Sequence, residues 1–398
     1  MHIKKNIKNI ISNLYKEVNE LYPTLLKYRR HLHANPELSG EEVSTKKYLL
    51  KCLKKMGIKI NKENITSVGA TSLLVRINPL KKVKAEKTTL VIRADMDALL
   101  LTEEVDTLFK SKKRGVMHAC GHDFHMTIAL GVISIVKKHL SELENPLIVV
   151  FEAAEETFGD ATKIIPFLEK ENCKCYALHV DPMLDLGKVR ITSGPFYASS
   201  IMIDIELKGD AKHVAVMPND DLITKCSAFV TDLDLSIKKE KFISKAILKF
   251  GKIAGGNVRN ITPSGITLSG VIRYLEEEDK NSIVQILHTT LRKHFNDNYN
   301  INTLNGYPVL INDVEMTEKL KKITDLLDIE AIDDGEVFLT TESFAYFSRK
   351  FPSCFYNLGV SKGENYPLHS PYFDPNEEAL KIGVLIQTML VLYQHLSN

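Results

Sequence analysis

The amino-acid sequence predicts an α/β fold with a mostly parallel sheet. Apolar runs rich in β-branched residues occupy 88–94, 146–154 and 175–180, and such runs are typical of strands buried on both faces. The segment 124–140, between the first two runs, has apolar residues at helical spacing and basic residues near its end. This order of strand, helix and strand predicts a parallel sheet with helices on both of its faces.

A different pattern interrupts the first. The segments "SIMIDIELKG", "SKAILKFGKIAGG" and "SGITLSGVIRYLE" alternate apolar and polar residues, as strands with one solvent-facing side do. Long stretches with helical spacing separate them, at about 219–239 and 277–296. Helix and strand patterns then alternate again. We therefore expect one α/β domain formed by 1–191 and 306–398, interrupted by a smaller α+β domain at 192–305.

The composition argues against several classes of partner. The 52 Lys and Arg residues nearly balance the 50 Asp and Glu residues, so the net charge of +2 favours neither nucleic acid nor an anionic membrane. Lysines interrupt the apolar positions of the N-terminal segment, and no stretch reaches the roughly 18 apolar residues of a membrane span. The six cysteines are scattered without a CxxC pair, which favours reduced thiols. We expect a cytoplasmic protein with a small-molecule partner.

The stretch "MHACGHDFHMTIALG" concentrates metal-binding side chains just before a predicted helix. Cys120 and His122 are two positions apart, so in extended backbone both side chains point to one face, as two ligands of one metal cluster need. A single CxH in a glycine-containing loop is also common in purely structural segments. His118 and His125 are expected to pack or to support the site, and Asp123 to orient a ligand through a hydrogen bond.

Ligand-type side chains also follow the predicted strands. They are Asp95 and Asp97, Glu155 and Glu156, and His179. Because the carboxyl ends of parallel strands share one edge of a sheet, we expect these groups to lie close together. Adjacent carboxylates repel unless cations compensate, and one of Glu155 and Glu156 can bind a metal while the other acts as a general base. A single histidine such as His179, or His369 in "PLHSPYFD", is usually a structural residue. The two become candidate metal ligands only together with the other ligand-type side chains.

Eight segments together match a known family in sequence and in order. They are "RRHLHANPEL", "RADMDAL", "MHACGHDFHM", "EAAEE", "ALHV", "GGNVRNITP", "GVIRYLE" and "LHSPYFDPNEEAL". The sequence resembles the aminoacylase and carboxypeptidase family of two-metal amidohydrolases over Arg29 to Leu380. It looks most similar to the branch of hippurate hydrolases, auxin-conjugate hydrolases and N-acetyldiaminopimelate deacetylases. The resemblance implies a metal-dependent amidohydrolase.

The resemblance also implies roles for individual residues. The family's general base falls on Glu155, and Asp97 matches a supporting aspartate beside the metals. The implied cofactors are two divalent ions, zinc or manganese, with cobalt or nickel also compatible with thiolate, imidazole and carboxylate ligands. The Cys120 thiolate is implied to be shared between the ions. The implied metal ligands are Cys120, His122, Glu156, His179 and His369.

The inserted domain of the family forms a dimer and acts as a lid, so the resemblance implies a homodimer. His213 matches a histidine that stabilises the oxyanion of the neighbouring subunit, Asn260 an asparagine that contacts substrate, and Arg273 an arginine that binds the substrate carboxylate. Two segments depart from the family pattern. "DAKHVAVMPN" replaces a small-residue run and lacks its second histidine, and "TESF" has Ser343 where the family has aspartate. Both departures bear on substrate range.

The implied reaction is hydrolysis of the amide bond of an N-acyl-L-amino acid. The specific expectation is deacetylation of N-acetyl-L,L-diaminopimelate in lysine biosynthesis, and the alternative is a broad, hippurate-type deacylase. The two altered segments suggest a third hypothesis, a catalytically weak sensor of amino-acid derivatives. A thiol hydrolase that uses Cys120 with His122 or His118 as its base is a fourth, but it would leave the carboxylates and the other histidines unexplained.

Overall fold

A computed structural model describes residues 2–78, 88–216 and 221–393. The chain divides into two units that we call the large unit and the inserted unit. The large unit comprises Met1–Gly194, Ile311–Glu336 and Tyr346–Asn398. The inserted unit comprises Pro195–Leu310 and Val337–Ala345. The chain therefore enters the inserted unit twice.

Helices and strands alternate along much of the chain. The helices are α1 (His2–Ala34), α2 (Val43–Lys55), α3 (His122–Lys138), α4 (Ala161–Leu168), α5 (Leu222–Lys239), α6 (Glu277–Phe295), α7 (Val314–Leu326), α8 (Ala345–Ser348) and α9 (Ala379–Leu392). The strands are β1 (Ile65–Val68), β2 (Ser72–Ile77), β3 (Thr89–Asp95), β4 (Leu147–Glu152), β5 (Cys173–Asp181), β6 (Val189–Arg190), β7 (Gly194–Tyr197), β8 (Ser199–Lys208), β9 (Ile247–Gly255), β10 (Gly265–Tyr274), β11 (Tyr299–Asn305), β12 (Leu310–Asn312), β13 (Ala331–Ile332) and β14 (Ser353–Gly359). Within the described residues, no helix combines the length and the apolar character needed to span a bilayer.

The large unit is built on one sheet with the strand order β1-β2-β4-β3-β5-β14-β6-β13. Its central strands β4, β3, β5 and β14 run parallel, whereas β2 pairs antiparallel with β4. Every residue of β3, β4 and β14 is buried, which explains their continuous apolar runs. The three strands predicted from the sequence are β3, β4 and β5, and the prediction of a mostly parallel α/β sheet is confirmed.

Helix α3 is buried on nearly all sides because α1, α9 and the sheet cover it. Two glycines allow α3 and α9 to approach closely. A Cβ added at Gly131 would lie 2.5 Å from Cγ2 of Val384, and one at Gly383 would lie 2.5 Å from Cδ1 of Ile128. Protein interiors have no space for such overlaps. This packing fixes the helix whose first turn carries His122.

The inserted unit has an antiparallel sheet with the strand order β11-β8-β10-β9. Along β8 the side chains of Ile203, Ile205 and Leu207 are buried, and those between them are exposed, as the alternation predicts. Helices α5 and α6 pack on this sheet and on each other. The helix predicted at 219–239 is α5, and positions 219 and 220 lie outside the described residues. The separate antiparallel sheet and its helices confirm the α+β character predicted for the insertion. The inserted unit also contains Val337–Ala345, which we assigned to the large domain from the sequence.

Candidate metal centre

Gly121 places two ligand-type side chains at the start of α3. Its φ of 80° lies in the left-handed region, and a Cβ at this position would lie 2.3 Å from Cγ2 of Val180. Glycine meets both conditions because it has no side chain. The turn puts Cys120 just before α3 and His122 at its first position, beside the end of β5.

Cys120 contacts two histidines from distant parts of the chain. Its Sγ lies 3.3 Å from Nε2 of His179 and 3.3 Å from Nε2 of His369. Nδ1–H of His179 donates to the carbonyl oxygen of Val180 at 2.8 Å, and this bond turns Nε2 of the ring toward the sulfur. The N–H of His369, a residue with a φ of 64°, donates to the carbonyl oxygen of Ala119 at 2.9 Å. The fold therefore holds two imidazoles against one thiol.

Glu155 and Glu156 follow β4 in a turn that two other carboxylates hold. Ala154 has a φ of 62°, which is strained for a residue with a Cβ, and its N–H donates to Oε1 of Glu42 at 2.8 Å. The N–H of Glu156 donates to Oδ2 of Asp97 at 2.9 Å. Because Glu42 and Asp97 are buried, the direction of the turn is fixed from inside the large unit.

Asp97 also orients His122. Nδ1 of His122 lies 3.2 Å from Oδ1 of Asp97, whose Oδ2 accepts the hydroxyl of Ser39 at 2.6 Å. Nε2 of His122 faces Oε1 of Glu156 at 3.8 Å and, within the described part of the chain, has no hydrogen-bond partner. A buried polar atom without a partner is costly. A cation bound by Nε2 of His122 and by Glu156 would remove that cost, so these residues fit a metal ion.

Two groups of possible metal ligands share the sulfur of Cys120. Within each group, one ligand atom from every residue lies within 4.8 Å of those of the others. The first group is Cys120, His122 and His179, and the second is Cys120, Glu156 and His369. A further group joins His122, Glu155 and Glu156. Thiolate, imidazole and carboxylate ligands suit zinc and other divalent transition metals.

The electrostatics of this cluster favour a bound cation. Burial raises the pKa of the Cys120 thiol well above its usual range, and the Glu156 carboxylate raises it further. Burial also raises the pKa of Glu156, but the hydrogen bond with His369 and the charge on His122 outweigh this effect and hold it at about 2. Metal binding requires the thiolate, which a divalent cation stabilises. Cation binding would therefore release the Cys120 proton.

The remaining histidines of this stretch, His118 and His125, have other surroundings. His125 lies near Asp95 and His122, but its Nδ1 is 2.6 Å from Oδ1 of Asp95, and its Nε2 accepts the N–H of Val180 at 3.0 Å. Both nitrogens of His125 are therefore engaged, and burial lowers its pKa to about 4. Burial also lowers the pKa of His118 to about 4, and its ring nitrogens have no hydrogen-bond partner among the residues described. Both rings are neutral.

Asp123, in the first turn of α3, belongs to a buried ion cluster. Its Oδ2 lies 3.0 Å from Nε of Arg29 and 2.8 Å from Nδ1 of His33. Nε2 of His33 lies 3.1 Å from Oε1 of Glu103, and all four side chains are buried. Asp123 thus anchors α3 to α1, whereas we expected it to orient a metal ligand.

The other three predicted site residues lie in the inserted unit. His213 is exposed, and its backbone pairs antiparallel with that of Ile261. The N–H of Val214 donates to the carbonyl oxygen of Asn260 at 3.1 Å. The fold therefore brings the His213 and Asn260 segments together.

Arg273 lies on β10 and contacts the second segment of the inserted unit, Val337–Ala345. Its Nη1 donates to the carbonyl oxygen of Leu339 at 2.9 Å and lies 3.4 Å from Oγ1 of Thr341. Ser343, the residue that departs from the family pattern, is buried in the same segment. Arg273 and Ser343 are thus linked through one short stretch of chain.

Sequence reasoning missed the residues that support the cluster. Arg93 lies inside an apolar strand, and its Nη1 is 2.6 Å from Oδ2 of Asp95 while its Nε is 2.7 Å from Oε2 of Glu152. A buried arginine needs carboxylate partners, so this contact could have been inferred from the sequence. Nothing near Glu42 or Ser39 in the sequence signals their bonds to the cluster.

The α/β fold and the clustered Cys, His and Glu side chains define the class of a metal-dependent hydrolase. Comparison with known families identifies one family within this class. Residues 91–393 match the family described as peptidase family M20/M25/M40, and the chain belongs to this family. The resemblance identified from the sequence motifs is thereby confirmed, and the chain is a metal-dependent amidohydrolase.

Two relatives align over nearly the whole chain. The N-acetyldiaminopimelate deacetylase of Shouchella clausii is 32% identical over 374 residues, which cover 92% of this chain and 96% of the relative. The IAA-amino acid hydrolase ILR1-like 4 of Arabidopsis thaliana is 28% identical over 386 residues, which cover 94% of this chain and 86% of the relative. The similarity thus extends well beyond the motifs.

A solved structure has the same fold. The YXEP protein of Bacillus subtilis, described as a dinuclear metal binding peptidase from the M20 family, superposes with a TM-score of 0.80 at 24% sequence identity. The superposition covers 94% of this chain and 98% of that protein. It confirms the fold class predicted from the sequence.

Proposed function

We propose that the chain hydrolyses the amide bond of N-acyl-L-amino acids with two divalent ions. The observation that carries the proposal is the pair of ligand groups that share the Cys120 sulfur, with Glu155 beside them. When bound, the ions would acidify a water molecule and polarise the amide carbonyl. Zinc or manganese is the expected metal, with cobalt or nickel as alternatives. The ions would be held by Cys120, His122, Glu156, His179 and His369.

Glu155 is the group that moves the proton in this proposal. One of its carboxylate oxygens lies within 4.8 Å of ligand atoms of His122 and Glu156, so it borders the cluster without belonging to the groups that share the sulfur. Glu155 accepts a proton from the attacking water as the new C–O bond forms. It then donates this proton to the amide nitrogen as the C–N bond breaks. The products are the acyl carboxylic acid and the free amino acid.

Asp97 is proposed to keep the cluster in place. It accepts the N–H of Glu156 and contacts Nδ1 of His122, and thus couples one carboxylate and one imidazole of the proposed ligand set. A carboxylate bonded to a ligating histidine fixes the ring orientation and increases its basicity. Asp97 would act through these neighbours.

The inserted unit would supply the groups that recognise substrate. We propose that His213 of a second copy in a homodimer donates to the developing oxyanion, which its exposed position permits. Asn260, on the neighbouring segment, would contact the substrate. Arg273 would bind the substrate carboxylate through the guanidinium N–H groups that Leu339 and Thr341 leave available.

N-Acetyl-L,L-diaminopimelate is the substrate we propose, with a role in lysine biosynthesis. The Shouchella clausii relative, an N-acetyldiaminopimelate deacetylase, supports this choice. The Arabidopsis relative, an IAA-amino acid hydrolase, supports the alternative of a broader N-acyl-amino-acid deacylase. The six cysteines are free and buried, which agrees with the proposed cytoplasmic location.

The test is release of acetate from N-acetyl-L,L-diaminopimelate beside a panel of N-acetyl- and N-benzoyl-amino acids. The protein is stripped with a chelator and reloaded with manganese or zinc. A strong, metal-dependent preference for the diaminopimelate supports the biosynthetic role, and activity across the panel supports the broad deacylase. Binding of these compounds without turnover in any metal form would overturn the enzymatic proposal and leave the sensor.

A further inference from the structure

Val180, the residue after His179 at the end of β5, is held from three directions. Its N–H donates to Nε2 of His125 at 3.0 Å, and its carbonyl oxygen accepts Nδ1–H of His179 at 2.8 Å. Its side chain packs against Gly121, because Cγ2 of Val180 lies 2.3 Å from the position that a Cβ at Gly121 would take. Because the N–H belongs to the peptide that joins His179 to Val180, the orientation of this peptide sets the direction of the His179 side chain.

His125 receives its own orientation from a buried chain of charged groups. Its Nδ1 is 2.6 Å from Oδ1 of Asp95, whose Oδ2 is 2.6 Å from Nη1 of Arg93. Nε of Arg93 is in turn 2.7 Å from Oε2 of Glu152. Since the N–H of Val180 requires an acceptor, Nε2 of His125 carries a lone pair and the ring proton is on Nδ1. The hydrogen bonds therefore run from β4 through β3 and α3 to β5.

We propose that His125 is a positioning residue that sets the direction of the His179 imidazole through the Val180 peptide. The His125 and His179 rings lie 4.7 Å apart at an interplanar angle of 70°, so a rotated Val180 peptide would change the contact between the rings. The inference rests on the proposed metal centre, in which His179 is a ligand. If His125 no longer accepted the N–H of Val180, the His179 side chain would still be present but would point in a different direction.

Two substitutions separate this role from simple packing. In His125→Gln, the side-chain oxygen can reach the position of Nε2 and accept the N–H of Val180. In His125→Asn, the shorter amide stops near the position of Nδ1, where it can bond to Asp95 but not to Val180. The glutamine variant should therefore behave like the wild type, and the asparagine variant should not.

The first measurement is hydrogen exchange of the Val180 amide in metal-free protein. Loss of its hydrogen bond should speed this exchange about tenfold in His125→Asn, while His125→Gln should stay within about threefold of the wild type. The amide of Val150 in β4 is the internal control and should keep its rate in both variants. Equal rates at Val180 in the wild type and both variants would overturn the proposal. If the asparagine variant does not fold, fast exchange in a folded glutamine variant would also overturn it.

The second measurement uses cobalt. His125→Asn should weaken the thiolate-to-cobalt absorption band and lower the affinity for one Co²⁺ by about 10- to 100-fold, and His125→Gln should restore both. Loss of one full equivalent of cobalt in both variants would overturn the proposal by identifying His125 as a ligand. A wild type that binds no cobalt would contradict the metal centre itself, while exchange at Val180 would still report on the His125 contact. Failure of the proposed function is thus distinguishable from failure of this inference.

Discussion

Sγ of Cys120 lies 3.3 Å from Nε2 of His369, although 249 positions separate the two residues in the chain. His369 belongs to the segment Tyr346–Asn398, which the chain reaches only after it has passed through the inserted unit. The contact joins the beginning of α3 to a loop near the end of the large unit. Four predictions follow from this cluster and from the packing around it.

Replacement of Cys120 by alanine should weaken binding of both proposed ions, because the sulfur belongs to both ligand groups. We expect the affinity to fall by at least about 100-fold and the loss to affect both equivalents together. Equilibrium dialysis with zinc measures this directly. Cys226→Ala is the matched control, because Cys226 is a buried, free cysteine of the inserted unit. Two ions bound with unchanged affinity in Cys120→Ala would rule out a shared sulfur.

Glu155→Gln should keep its metals and lose turnover. A glutamine side chain has nearly the same shape as glutamate but cannot accept the proton of the attacking water, so the rate should fall by about 10²- to 10⁴-fold. The measurement is kcat for the best substrate of the panel, together with metal content. Glu63→Gln, at an exposed position, is the control and should retain full activity. Full turnover in Glu155→Gln would show that another group moves the proton.

The ion cluster around His33 should make stability depend on pH. Burial and the charge on Arg29 lower the pKa of His33, but hydrogen bonds to Asp123 and Glu103 outweigh both and raise it. Since the folded pKa exceeds the unfolded value of about 6.5, the stabilisation is complete below about pH 6.5 and is lost as the pH rises through the folded pKa. His33→Gln should lower the free energy of unfolding by about 3 kcal/mol at pH 6, with a smaller difference at higher pH.

Urea unfolding between pH 5.5 and 8.5 measures the effect of His33→Gln, and a nearby histidine provides the control. The side chain of His31 is largely exposed, but its partial desolvation and the charge on Lys112 lower its pKa. For His31→Gln the difference from the wild type should therefore change with pH in the opposite direction. A difference for His33→Gln that grows as the pH rises would contradict the proposed imidazolium between two carboxylates.

A methyl group added at the glycine contact between α3 and α9 should destabilise the protein. Gly131→Ala should lower the free energy of unfolding by about 1–3 kcal/mol, because the new Cβ would lie 2.5 Å from Cγ2 of Val384. Gly251→Ala is the control, because apart from the residue itself and its two chain neighbours no described atom lies within 4 Å of the Cβ that it adds. Thermal and urea unfolding of the two variants measure the effect. A Gly131→Ala protein as stable as the control would show that the two helices can separate at little cost.

The central strands and the ligand-type side chains could be predicted because their signals are local. β3 and β4 are buried on both faces, so their sequences are almost uninterrupted apolar runs. Cys120 and His122 stand in one short stretch, and Glu155 and Glu156 follow directly on a strand. Such patterns need no knowledge of the tertiary structure.

The supporting contacts could not be predicted, because they join distant residues through backbone atoms. Glu42 accepts the N–H of Ala154 across 112 positions, and any carboxylate of suitable reach would look the same in the sequence. The tautomer of His125 likewise depends on an N–H of β5 that carries no sequence signal. The return of Val337–Ala345 to the inserted unit depends on tertiary contacts rather than on periodicity.

The double passage through the inserted unit has a consequence for synthesis on the ribosome. The segment Pro195–Leu310, with its own four-stranded sheet, is translated before β14 and α9 of the large unit. Until α9 emerges, the apolar side of α3 that it covers stays open to solvent, and nascent chains in this state are prone to aggregate. Under the proposed ligand set, the Glu156 and His369 ion position is completed only when residue 369 has been made, so a truncated nascent chain cannot acquire both ions.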